Sequence, residues 1–267
     1  MELLVFLAAG VCSGVLAGML GIGGGVVIVP VLIYTLDHSN IPLDLRMPLA
    51  VATSLAIIAL SGLSSARAHH RRGATNWQIM KLMAPGCAFG AIMAGLLVPW
   101  IPGVYLLGFF ALFELYVASD LLFDLHPQTQ GGSGIMDMKY FLFSGFFIGL
   151  ISTLLGIGGG SLTVPFLHYM GRPLREAVGT SSLFGAFLAF IASLTFLFQR
   201  GPQLPNTIGF IYLPAFVGIA ITSILAAPLG ALLAHHIPVH RLRQILAIVL
   251  YLVALDMGIE CFKHIMA

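Results

Sequence analysis

The chain is 267 residues long, 59% hydrophobic and 8% charged, with a formal net charge of +2 and a mean hydropathy of +1.02. An average soluble domain carries about 25% charged residues, so polar surface is too scarce here for a water-soluble globule, and a polytopic membrane protein is the class that fits. The few basic residues are scattered, which excludes a nucleic-acid surface, and Cys12, Cys87 and Cys261 stand singly in apolar stretches, which excludes a disulfide framework or a thiolate metal site.

The N-terminus has Glu2 where a secretory signal needs basic residues, so the first segment is expected to stay as structure. The first apolar block, roughly residues 3–35, is too long for one crossing of about 20 residues. It contains "GIGGG" at Gly21–Gly25, followed by Pro30. Blocks at roughly 47–68, 76–100 and 103–125 have the length of ordinary membrane helices. The polar stretch "HPQTQGGSG" (His126–Gly134) then interrupts the pattern. A second series follows at roughly 138–170, 175–198, 207–234 and 241–262, and its first block again carries "GIGGG" (Gly156–Gly160) with a proline five residues on, Pro165.

The two series are copies. Residues 10–34 read onto 145–169 with 12 of 25 positions identical, "AVATS" (Ala50–Ser54) answers "AVGTS" (Ala177–Ser181), and "RRG" (Arg71–Gly73) answers "QRG" (Gln199–Gly201). The expected organisation is a first membrane repeat at 1–126, a linker at 127–137 and a second repeat at 138–267. If each Gly-broken block is a hairpin that returns to its starting side, each half crosses an odd number of times and the second half is inverted. Arg67, Arg71, Arg72, Lys81, Lys139, Arg172, Arg175, Arg241 and Arg243 then lie inside, against Arg46, Arg200 and Lys263 outside. A single crossing by that block gives a less skewed split, so the positive-inside rule favours the hairpin. The fold class is therefore all-α and polytopic, with two inverted-topology repeats, each a Gly-broken helical hairpin followed by three transmembrane helices.

A helix broken in lipid leaves N–H and C=O groups unpaired at several kcal/mol each, so such a break belongs where protein buries it or where it lines a polar cavity. Helices restarting after Gly21, Gly23, Gly24, Gly25 and after Gly156, Gly158, Gly159, Gly160 would aim free amides and positive dipole ends at a common point, which is an anion site. Gly10, Gly14 and Gly18, four residues apart, read instead as a helix-packing stripe. Neither cluster is a nucleotide loop, since no GK[ST] follows. Thr53 and Ser54, with Thr180, Ser181 and Ser182, lie near the breaks and serve equally well as ligand contacts or as helix-to-helix hydrogen bonds. The second break leads into Ser161, Thr163 and His168 where the first has Val26, Ile28 and Ile33, so the halves are not equivalent. His168 reads either as a proton-coupling candidate or as an interfacial histidine. Glu114, the one acid near the centre of an apolar block, must find a partner or a proton, which makes it a proton-coupling candidate or a neutral structural group. No HExxH, GxSxG or metal-ligand cluster occurs, so neither an enzyme nor a cofactor is expected.

The paired repeats "GVLAGMLGIGGGVVIVPVLIY" and "GLISTLLGIGGGSLTVPFLHY", each followed by an "AV[AG]TS" block, resemble the sulfite exporter TauE/SafE family of membrane transporters across essentially the whole chain. The resemblance implies a multi-pass protein of the bacterial inner membrane that moves a small sulfur oxyanion or sulfonate (sulfite, thiosulfate or an organosulfonate such as sulfoacetate) by alternating access with proton coupling. A passive anion channel or uniporter is the alternative. The partners implied are the anion and the lipid bilayer, and an oligomer is compatible with this reading.

Overall fold

A computed structural model describes residues 2–21, 23–38, 41–123, 138–233 and 239–266; the linker expected at 127–137 lies outside them. The first half contains α1 (Glu2–Leu20), α2 (Gly25–His38), α3 (Leu43–His70), α4 (Trp77–Leu97), a single 3-10 turn at Val98–Trp100, and α5 (Gly103–Phe123). The second half contains α6 (Met138–Leu155), α7 (Gly160–Tyr169), α8 (Leu174–Phe198), a two-residue hairpin of β1 (Thr207–Ile208) and β2 (Ile211–Tyr212), α9 (Leu213–Leu233) and α10 (Val239–Met266). Seven of the described helices (α1, α3, α4, α5, α6, α8 and α9) are long and apolar enough to cross a membrane. At about 1.5 Å per residue, α2 and α7 reach only ~21 and ~15 Å, roughly half to two thirds of a bilayer core of about 30 Å.

Each helix starts where its sequence permits. Pro42 and Pro173 precede α3 and α8, their φ of −56° and −54° leading the chain into the helix. Asn76 caps α4 by accepting from the amides of Gln78 and Ile79. α1 ends because three of the next four residues are glycines at positive φ or beside one: Gly21 (+68°), Gly23 (+80°) and Gly24 (+76°). The second break repeats this at Gly156 (+72°), Gly158 (+70°) and Gly159 (+79°). L residues rarely hold such angles, so the run of glycines is a backbone requirement.

The small-residue stripes decide the packing. A methyl at Gly14 would lie 2.8 Å from the Ser223 Cα, and Gly10 and Gly18 meet Ile219 and Ala227 equally closely, so α1 runs parallel to α9. On the other side Gly86 and Gly90 meet Leu142 and Phe146, while Gly145 and Gly149 meet Met83 and Cys87, so α4 runs parallel to α6. Without a hydrophobic drive in lipid, this backbone-to-backbone approach is what holds helices together.

The central pair is α3 and α8. Gly62 touches Ala186 and Ser65 reaches Ser182, so the two lie antiparallel. α3 runs parallel to α9, because Thr53 meets Tyr212 and Ser64 meets Ile224. α8 runs parallel to α4, because Asn76 meets Thr180 and Gln199 meets Gly95. α5 and α10 lie antiparallel at the edge, with Cys261 on Val104 and Ser119 on Tyr251. Helices that correspond in the two halves thus point in opposite directions, and each half interleaves with the other. At one end of the bundle Arg46, 8% exposed, joins Asp37 at 2.6 Å, Glu260 at 3.5 Å and the Ile41 carbonyl at 2.6 Å, closing α2, α3 and α10 together.

This packing makes a graded test. Gly14→Leu or Gly149→Leu must push backbones apart and should cost on the order of 3 kcal/mol or more, seen as loss of a monodisperse peak in fluorescence-detected size exclusion. Gly258→Ala, where a methyl meets nothing within 4 Å, should leave the peak unchanged.

Candidate functional site

The two glycine turns meet at the middle of the bundle. Gly24 packs on Ser13, halfway along α1, so after α1 ends the chain has dropped back by about two helical turns, roughly 10 Å, before α2 starts. Gly158 packs on Ile58 near the middle of α3. A methyl at Gly25 would lie 2.5 Å from the Ile157 Cα, and one at Gly23 would lie 3.0 Å from the Ile157 oxygen. The turns are in backbone contact, and only glycine allows it.

Hydroxyls from the opposite half hold each turn. Ser54 on α3 donates to the Gly156 carbonyl at 2.7 Å, and Ser181 on α8 donates to the Gly21 carbonyl at 3.2 Å. One residue earlier, the Thr53 hydroxyl accepts from the Tyr212 amide at 2.9 Å, just before α9, and the Thr180 hydroxyl accepts from the Asn76 amide at 2.9 Å, just before α4. The "TS" of each "AV[AG]TS" block therefore makes one tie to the other half's glycine turn and one to the start of the other half's fourth helix. All four residues are buried, and each hydrogen bond replaces an unpaired backbone group that lipid could not satisfy.

A small cavity lies on one side of the paired turns. Its walls are Gly21, Gly23 and Gly158 from the turns, Ile58, Gly62 and Ser65 from α3, and Ser181, Ser182, Gly185 and Ala186 from α8, with Ala17 of α1. It has room for about one water molecule. No side chain in this lining carries a charge. Ser65 reaches Ser182 at 3.3 Å and the Ala17 carbonyl at 3.3 Å, while Ser182 also donates to the Val178 carbonyl at 3.0 Å. One turn beyond Ser65 on the same face, His69 is buried and its Nε2 lies 3.0 Å from the Gly18 carbonyl. A carbonyl only accepts, so that nitrogen carries a proton. This polar face runs from the cavity toward the turn bearing Arg71 and Arg72.

Of the residues singled out in the sequence, Gly21, Gly23, Gly158, Ser181 and Ser182 line the cavity. Gly24, Gly25, Gly156, Gly159 and Gly160 build the turns behind it, and Thr53, Ser54 and Thr180 brace the turns. Ser161 is buried at the start of α7 with no partner for its hydroxyl. Glu114 is fully buried on α5 with neither carboxyl oxygen partnered, and it is not part of the cavity. His168 sits in the last turn of α7, its Nδ1 3.3 Å from the Arg172 carbonyl, about 12 Å along the helix from Gly160. Sequence reasoning left Ser65 and Gly62 aside and assigned His69 to a loop; the structure puts all three on one face of α3. Helical spacing from Ile58 (i, i+4, i+7, i+11) would have found that face.

A family model described as "Sulfite exporter TauE/SafE" matches residues 6–257. A "Probable membrane transporter protein" of Haemophilus influenzae is 33% identical over 261 residues, covering 97% of this chain and 98% of its own. The "Probable membrane transporter protein MJ0441" of Methanocaldococcus jannaschii is 26% identical, covering 84% and 81%, and the "Probable membrane transporter protein YunE" of Bacillus subtilis is 26% identical, covering 73% and 77%. No solved structure is a significant match.

The bracing is open to measurement. Ser54→Ala or Ser181→Ala leaves a buried carbonyl without its donor and should cost about 1–3 kcal/mol, read as a lower unfolding temperature of the purified protein. The same change at Ser193, whose hydroxyl only bonds back to Ala189 on its own helix, should shift it much less.

Proposed function

The chain belongs to the sulfite exporter TauE/SafE family, and from that premise we propose that it is a secondary transporter of a small sulfur-containing anion (sulfite, thiosulfate or an organosulfonate) in the bacterial inner membrane. The observation that carries the reading is the cavity against the paired glycine turns, at mid-depth, walled by backbone and by the hydroxyls of Ser65, Ser181 and Ser182. Neutral donors attract an anion without a fixed cation, so the ligand can leave as well as arrive. Each hydroxyl now gives its one proton to a carbonyl or to its neighbour, and an incoming oxyanion would take that proton in exchange.

The proposed topology is inverted, with α3 ending and α8 beginning on the cytoplasmic side, where Arg67, Arg71, Arg72, Arg172 and Arg175 cluster. The cavity and its polar face toward His69 then open inward. Alternating access would rock the interleaved halves about the contact between the turns. A passive channel needs a continuous wet path, and a cavity with room for about one water favours the transporter. Glu114 is the proposed coupling group: a buried carboxyl without a partner gains most from carrying a proton.

Purified protein in proteoliposomes should move sulfite, thiosulfate or a two-carbon sulfonate faster than chloride, and faster again with an imposed proton gradient. Flux indifferent to the gradient would transfer the reading to a uniporter. Ser65→Ala and Ser182→Ala should each raise KM about tenfold, the worth of one hydrogen bond to a charged group. Glu114→Gln should retain substrate binding, by calorimetry, while losing most of the response to the gradient; a full gradient response in that variant would remove Glu114 from the mechanism.

A further inference from the structure

Two hydroxyls at the second glycine turn are not used by the cavity. Ser152, in the last turn of α6, is fully buried; Ser161, in the first turn of α7, is 7% exposed; neither has a hydrogen-bond partner. Several membrane hydroxyls of this chain bond back to their own helix, as Ser193 does to Ala189, Thr195 to Ile191 and Thr163 to Gly159, and Ser61 and Thr153 are buried without a partner as well. Ser152 and Ser161 make no such bond, although an unpaired hydroxyl in so dry a place is a standing cost. They flank Gly159. A methyl at Gly159 would lie 3.6 Å from the Ser152 Oγ, 3.3 Å from the Leu188 Cδ1 and 3.6 Å from the Phe184 Cδ1. The first amides of α7, those of Gly160 and Ser161, have no acceptor within their own helix.

Internal correspondence locates this place. Ser152 stands where the first half has Ala17, a wall of the open cavity, and Ser161 stands where it has Val26. Conversely, Ser65 and Ser182 of the open cavity correspond to Ala192 and Leu55. Each side of the paired turns thus has two hydroxyls of its own. On the inner side α3 and α8 supply them, and on the outer side α6 and α7 do.

We propose that Ser152, Ser161 and the amides of Gly160 and Ser161 form a second oxyanion subsite on the outer side of the paired turns, closed in this conformation by Leu188 and Phe184. This rests on the transport reading above. The anion passes between the inner cavity and this subsite, and the hydroxyls left unpaired here are paired when the outer side is loaded. The chemistry is that of a tetrahedral or pyramidal oxyanion held by neutral donors.

The test compares sulfite flux in right-side-out and inside-out vesicles for wild type, Ser152→Ala, Ser161→Ala and the double variant. The expected result is an outer-face KM about tenfold higher in each single variant, with inner-face KM and unfolding temperature unchanged. An unchanged outer-face KM in the double variant overturns the subsite while the transport reading stands. Equal rises on both faces also overturn it, because they make the hydroxyls part of one shared site. If the wild type carries no sulfite, the transport reading fails, and calorimetry with sulfite and with inorganic phosphate decides the subsite separately. A binding heat lost in the double variant supports it, with the phosphate arm telling a general oxyanion site from a sulfur-selective one, and a heat that persists or is absent in wild type overturns it.

Discussion

Everything in this molecule depends on how it satisfies the backbone at two helix breaks in the middle of a membrane. Lipid offers no hydrogen bonds, so each break must be covered by protein. The chain covers each with the other. The turns at Gly21–Gly25 and Gly156–Gly160 touch backbone to backbone, and Ser54 and Ser181 reach across the halves to the carbonyls of Gly156 and Gly21. Neither half can complete its own turn, and that dependence explains why the halves interleave so thoroughly.

The same constraint sorts the polar residues into two kinds. Thr53, Ser54 and Thr180 look like ligand contacts in the sequence, because they are hydroxyls near a break. In the structure their first duty is to close backbone groups of the other half. Ser181 does both, since it binds Gly21 and also faces the cavity. The hydroxyls placed one step away, Ser65 and Ser182 on one side and Ser152 and Ser161 on the other, carry less of the bracing. Under the proposed function a ligand would take the place of their present partners, or supply one, without opening the fold.

Much of this was legible. The doubled "GIGGG", the doubled "AV[AG]TS" and the proline five residues past each cluster mark the duplication and the broken hairpins, because positive φ and close backbone approach demand glycine and leave a trace that other residues cannot mimic. The stripe at Gly10, Gly14 and Gly18 announced a helix contact, though not that its partner is α9 of the other half. That choice depends on which grooves are left after both halves fold, and no local pattern records it. The cavity was harder to read. Ser65 and Gly62 sit in a helix that is apolar on most sides, and their meaning appears only when α8 lies antiparallel against them. His69 was hidden by its neighbours, since "HHRR" reads as a loop while α3 in fact continues through His70.

The departures from symmetry are the informative part of a duplicated chain. Where Ser65 and His69 give α3 a polar face, the matching positions of α8 are Ala192 and Phe196, and Phe196 is fully buried against Phe210 with ring centres 6.3 Å apart. A duplication on its own would make two equal mouths. Here one side of the paired turns carries hydroxyls and an imidazole and the other carries aromatic rings, so an anion transported as proposed would meet unequal barriers on the two sides. Hydrating an apolar constriction is costly, whereas a polar vestibule takes up water readily. Under the proposed topology, the outer side would stay shut until α8 or the loop carrying Phe210 moves, and the inner side would set the resting conformation. In the proposed mechanism the two-fold repeat supplies the symmetry, and the substitutions within it supply a preferred state.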